Sequence, residues 1–135
     1  MEIINKLLIK VFYIANLALI VLYLYPGSII GCYLFNDCSI QPQITGDLVI
    51  SSNYSISSNH FYSFIFLSTL GIFTYRNTKK IKFLIVYLFL LSIILELLQI
   101  LIPIRTFEWR DLLGNILGIT LALIIYKIKY KYVQN

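Results

Sequence analysis

The sequence predicts an all-α protein, a single-domain four-helix transmembrane bundle with both termini cytoplasmic, spanning residues 1–135. Three observations lead there. Hydrophobic residues make up 59% of the chain and charged residues 13%, against roughly 45–50% and about 25% in ordinary soluble domains. Four stretches approach the length of about 20 apolar residues that a helix needs to cross a bilayer. The basic residues collect in only some of the segments that flank those stretches. A chain of 135 residues has too little interior to hide so much Ile, Leu, Phe and Tyr. Disorder is excluded by the same excess, since apolar surface on that scale must be buried somewhere.

The first helix is expected from about Leu7 to Tyr25, stopped by Pro26-Gly27, with Lys10 near enough to its start to snorkel to the interface. A long loop follows over 26–59, with a short extended piece at Asp47 to Ile50 and a solvated Ser/Asn cluster from Ser51 to Asn59. The second helix, the shortest, is expected from about His60 to Tyr75, with Ser57 or Ser58 as its N-cap. The third runs from about Ile81 to Ile104 and carries Glu96 and Gln99 in an otherwise apolar run. The fourth runs from about Asp111 to Ile128. None alternates with period two, and each is too long for a strand.

Charge assigns the sides. Lys6 and Lys10 precede or open the first helix, Arg76, Lys79, Lys80 and Lys82 join the second to the third, and Lys127, Lys129 and Lys131 end the fourth. The loop 26–59 holds no Lys or Arg, only Asp37 and Asp47, and the link between helices three and four adds Arg105 and Arg110 beside Glu108 and Asp111. By the positive-inside rule the termini face the cytoplasm and the long loop faces out. The net charge of +5 is therefore a topology signal, and no nucleic-acid partner is expected. The expected location is the bacterial cytoplasmic (inner) membrane, crossed several times. Ile29-Ile30-Gly31-Cys32 loosely resembles a lipoprotein cleavage box, but a retained first helix is the simpler reading of a chain that is membrane-spanning throughout. Cys32 and Cys38 both fall in the outer loop, where a disulfide and two free thiols are both open.

Polar residues inside the spans require an explanation. An acid in hydrocarbon costs about 3 kcal/mol on insertion scales and so usually faces the bundle interior and finds a partner. With the third helix ending at Ile104, Glu96 would lie about 10 Å into the hydrocarbon. Gln99 follows at i+3 on the same face. In the fourth helix Asp111, Asn115, Gly118 and Ala122 form one stripe, and Gly114, Gly118 and Ala122 make a small-residue series suited to close helix packing. His60 opens the second helix from the same side. In helices two, three and four and the outer link, apart from the basic flanks, the strongly polar residues in or beside the spans all fall in the expected outer half.

These residues carry a resemblance. Glu96-Leu-Leu-Gln99, then Pro103, Arg105, Glu108, Asp111, Asn115 and Gly118, together with His60-Phe61 at a helix start, resemble the signature of the VanZ-like family of small multi-pass bacterial membrane proteins. The resemblance covers about Asn59 to Ala122. Two positions depart from it. The family's Asp-Lys pair before the His is replaced by Ile56 and Ser57, and a later Gly is Ala122. The first leaves His60 without a charged outer-loop assistant; the second keeps a small residue. The resemblance implies an accessory role of the kind associated with teicoplanin resistance, and it constrains architecture more than activity.

The expected function is a non-catalytic cell-envelope or glycopeptide-antibiotic tolerance factor with an outward-facing polar pocket built from His60, Glu96, Gln99, Arg105, Asp111 and Asn115. Arg105 would engage a phosphate or carboxylate through its fork. The expected partner is a membrane lipid, a lipid-linked envelope precursor or a glycopeptide. The alternative is a membrane enzyme acting on a lipid headgroup, with Glu96 or His60 as acid or base. A proton-coupled transporter is weaker, because the cytoplasmic halves offer no matching polar residue. With one His, no Cys-x2-Cys and no glycine-rich phosphate loop, neither a metal nor a cofactor is expected.

Overall fold

Hydropathy builds most of the molecule, and the computed structural model describes residues 2–42, 45–51 and 54–133. Among them the order is α1 (Glu2–Leu24), α2 (Ile29–Phe35), β1 (Leu48–Ser51), β2 (Tyr54–Ile56), α3 (Ser58–Tyr75), α4 (Ile81–Gln99) and α5 (Trp109–Val133). The chain is mostly helical, and Ile4–Leu24, Ile81–Gln99 and Trp109–Lys129 are long and apolar enough to cross a membrane. Their outward faces carry exposed Leu17, Val21, Phe83, Leu90, Ile94 and Ile124, a surface that water would not favour.

The fourth long helix, α3, is not among those three, and its position explains why. It packs on α1, α4 and most extensively on α5, so eight of its 18 residues are buried, His60, Ser58, Ser68 and Thr74 among them. The face that packs against these neighbours can carry hydroxyls, whereas Phe66 and Phe73 occupy the exposed side. A Cβ on Gly118 would stand 2.5 Å from the Phe61 carbonyl oxygen, and one on Gly114 2.9 Å from the Ser57 carbonyl oxygen. The two backbones therefore meet where only glycine fits. Phe64, Leu67, Leu88, Leu95 and Ile119 fill the centre without solvent exposure.

Several boundaries differ from the sequence expectation. The first helix begins at Glu2 instead of about Leu7 and ends at Leu24, and the last spans Trp109–Val133 instead of 111–128. The third ends at Gln99 rather than Ile104. Residues 100–105 turn tightly, with Leu101 N donating to Leu98 O, Ile102 N to Gln99 O and Arg105 N to Ile102 O. Pro103 bars the helix from continuing to Ile104, because its ring disfavours helical geometry at Ile102 and it has no N–H to return to Gln99. Glu96 accordingly lies in the final turn of α4, nearer the helix end than the expected depth of about 10 Å, yet fully buried.

The loop 26–59 is more ordered than expected. Gly27 takes a φ of 93° and turns the chain, Ser28 caps α2 by accepting from Gly31 N at 3.0 Å, and Asn36 ends it with a φ of 52°. Cys32 and Cys38 are joined in a disulfide. The extended piece at Asp47 to Ile50 corresponds to β1, which pairs antiparallel with β2 through Leu48↔Ile56 and Val49↔Ser55. Ser52 and Asn53, within the cluster read as solvated, lie outside the described residues.

The two ends of the bundle differ in chemistry. At one, Arg76 and Lys129 approach the Phe73 ring from α3's exit and from α5, and Ile4, Asn5 and Leu8 of α1 line a cavity with Arg76 and Thr78. At the other lie the N-terminal turns of α3 and α5, the last turn of α4 and the C-terminus of α1.

Candidate functional site

Asp111 and Asn115 lie one turn apart on α5 and face the first turn of α3, so both reach the ring of His60. His60 Nε2 is 3.3 Å from Asp111 Oδ2, and Nδ1 is 3.2 Å from Asn115 Oδ1. The α5 spacing is the i, i+4 periodicity that puts two side chains over each other. Glu96 comes from α4. Its Oε1 accepts from the Glu108 amide at 3.1 Å, while Oε2 points toward His60 Nδ1 at 3.9 Å and has no hydrogen-bond partner. Glu96 and Asn115 are fully buried, and His60 and Asp111 nearly so.

Two further residues complete the cluster. The Tyr23 hydroxyl of α1 donates to Asn115 Oδ1 at 2.8 Å, and its ring lies 4.7 Å from that of His60. Ser57, buried ahead of α3, lies beside Asp111. Neither was singled out as a site residue from sequence. Tyr23 is one of 11 tyrosines in the chain, and nothing in its local pattern sets it apart. Ser57 had a signal, as the residue ahead of a helix, but that signal pointed to capping; its side chain makes no cap bond here and turns to Asp111 instead.

Gln99 Nε2 donates to the Tyr23 carbonyl at 3.4 Å. Arg105, in the α4–α5 link, reaches across to the end of α1, where Nε donates to Tyr25 O at 3.4 Å and Nη2 to Leu22 O at 3.4 Å and Gly27 O at 2.5 Å. It satisfies carbonyls that a helix C-terminus leaves without partners. Burial holds its guanidinium below the usual value, against the pull of Asp111 and Glu96, but arginine stays charged in proteins. The fork expected to be free for a bidentate ligand is thus partly engaged. Arg110 lies at the surface, bound to Glu108 at 2.6 Å and to Asp47 at 3.0 Å, which ties the hairpin to α5.

A cleft of about 340 Å³ opens between α1, α2 and α3, lined by Tyr23, Asn59, His60, Ser63, Gln99 and Arg105 with Leu19, Leu22, Ile29, Ile30 and Phe66. Of the six residues expected to form a pocket, His60, Gln99 and Arg105 line this cleft, whereas Glu96, Asp111 and Asn115 stand behind His60. Gly114 and Gly118 lie against α3, and Ala122 is buried toward the basic end beside a second cavity with Phe73 and Arg76.

Chemically, the cluster sets one imidazole against three oxygens. One donor atom each from His60, Glu96 and Asp111 lies within 4.8 Å of the others, a group able to hold a metal ion. Linear spacing gives no sign of it, because the three come from α3, α4 and α5. Among curated proteins and solved structures, none matches the chain. A family model described as VanZ/LLP1 does match, over residues 10–130, and so takes in most of the four long helices and the whole cluster: the chain belongs to the VanZ/LLP1 family.

Proposed function

We propose that the protein spans the bacterial cytoplasmic membrane with all four long helices, keeps both termini in the cytoplasm, and receives the polar head of a membrane lipid or lipid-linked envelope precursor in the cleft beside His60. In this reading it is a non-catalytic cell-envelope factor of the glycopeptide-tolerance kind. The observation that carries it is the cleft itself, where His60, Gln99 and Arg105 meet an apolar wall at the end of the bundle opposite the basic flanks. A phosphate-bearing head would face the Arg105 charge, and its chains would lie along Leu19, Leu22 and Phe66. The Cys32–Cys38 disulfide in α2's loop supports an outward orientation, since such bonds persist in oxidising compartments. Clustered Lys and Arg at the other end support a cytoplasmic assignment there.

The test is binding by the purified chain in detergent. Phosphatidylglycerol or a polyprenyl phosphate is expected to bind saturably, with phosphatidylcholine weaker and Arg105→Gln reducing the preference. Equal retention of all three lipids, unaffected by Arg105→Gln, would sink the reading. Reporter fusions in the 76–80 link check the orientation independently and should read as cytoplasmic.

A second reading, a membrane enzyme acting on a lipid headgroup, is favoured by the 3.3 Å approach of His60 Nε2 to Asp111 Oδ2, the arrangement in which a carboxylate orients an acid or base. Product formation lost in Glu96→Gln would favour the enzyme. Saturable binding without product would favour the binding factor.

A further inference from the structure

The surroundings of His60 ask for positive charge. Asn115 Oδ1 and Glu96 Oε2 approach Nδ1 at 3.2 and 3.9 Å, and Asp111 Oδ2 approaches Nε2 at 3.3 Å. A ring donating from both nitrogens would satisfy Asn115 and Asp111. It would still leave Glu96 Oε2, fully buried and without a hydrogen-bond partner, beyond hydrogen-bond reach. A buried carboxylate oxygen in that state is costly unless something compensates it.

We propose that His60, Glu96 and Asp111 form a binding site for a first-row divalent transition-metal ion of the Zn²⁺ or Mn²⁺ type. The donor set decides the class. One imidazole nitrogen with two carboxylate oxygens suits such ions, whereas Mg²⁺ and Ca²⁺ take oxygen ligands. The three donor atoms already lie within 4.8 Å of one another. Bonds of about 2.0–2.2 Å place neighbouring donors about 3.4 Å apart, so closure needs side-chain shifts of about an ångström.

Glu96 is also held as a metal ligand is: the Glu108 amide fixes its far oxygen and leaves Oε2 toward His60, while Asp111 presents Oδ2 to Nε2 at 3.3 Å. Asn115 Oδ1, beside Nδ1, is the nearest further donor. The ion would link α3, α4 and α5 at one point and offset both buried acids. The site stands whether or not the neighbouring cleft takes a lipid.

The full chain, purified with a histidine-free tag and without chelators, is titrated with Mn²⁺ and examined by pulsed electron paramagnetic resonance. His60 is the only histidine in the sequence, so nitrogen coupling from a bound imidazole can arise from this site alone. One Mn²⁺ per chain with that coupling is expected. Glu96→Gln and Asp111→Asn should each weaken binding by about tenfold or more, and Asp37→Asn, in the outer loop, should not. Failure of the folded wild type to bind Mn²⁺ or Zn²⁺ stoichiometrically would overturn the proposal. So would binding without imidazole coupling, or unchanged affinity in Glu96→Gln. If the variants fail to fold, the wild-type spectrum decides alone.

Discussion

Tyr23 and Asn115 lie 92 positions apart and meet through a single hydrogen bond of 2.8 Å, hydroxyl to carboxamide oxygen. That bond fastens α1 to α5 across the face of His60, whose Nδ1 shares the same oxygen. Asn115→Ala removes the acceptor from both and should destabilise the bundle by about 1–3 kcal/mol. Tyr23→Phe should cost less, and the double mutant should show a coupling of about 0.5–1.5 kcal/mol. Unfolding in detergent micelles measures all three. Strictly additive free energies would show that the bond contributes nothing.

Close packing of α3 on α5 gives a sharper test. A Cβ on Gly118 meets backbone on both sides, the Phe61 carbonyl oxygen at 2.5 Å and the Ile65 nitrogen at 3.0 Å, and neither can rotate away. Gly118→Ala should lower stability by about 1–3 kcal/mol. Gly46→Ala, with nothing within 4 Å, should leave it within about 0.5 kcal/mol. Comparable melting of the two variants would contradict the packing.

Arg105 secures the end of α1 through the carbonyls of Leu22, Tyr25 and Gly27. A lysine offers a point charge in place of a fork. Arg105→Lys should therefore retain part of the favourable interaction with the helix terminus, about 0.3–1 kcal/mol, and Arg105→Gln should lose it. Hydrogen exchange over residues 22–27 should speed up in the order wild type, Lys, Gln. Equal exchange in all three would refute the role.

The disulfide constrains a local segment. Cys32→Ser with Cys38→Ser opens a loop closed over a separation of 6 residues, which the chain-entropy relation values at roughly 2 kcal/mol. Proteolysis within residues 26–42 should accelerate while the melting of the four long helices holds. Wild-type protein should accept maleimide only after reduction; labelling beforehand would mean free thiols.

What the sequence discloses here follows from cost. Glu96, Asp111 and Asn115 stood out because a polar group in an apolar run needs a reason, and folding brings them around His60. Hydropathy locates α1, α4 and α5. It is weaker for α3, because a helix that packs against three others can carry polar residues on its buried face. The seven residues of α2 are too short for a span and lack a strong helical signal, while their capping by Ser28 is visible only in space. Tyr23 gave no sign because an aromatic near a helix end is ordinary until its hydroxyl is seen to point inward. Arg105 was legible as a charge, but its attachment to α1 depends on a turn that only the end of α4 at Gln99 creates.

The glycine contact between α3 and α5 also bears on how the chain is made. α5 leaves the ribosome after α3, so for a time His60 lacks the Asp111 and Asn115 side chains that flank it in the folded chain. Arrival of α5 closes the bundle and brings Asp111 and Asn115 to His60 in one step. Assembly thus has a late commitment point, and a substitution at Gly118 would act there, leaving α3 without its most extensive packing partner and open to proteases before the mature fold exists.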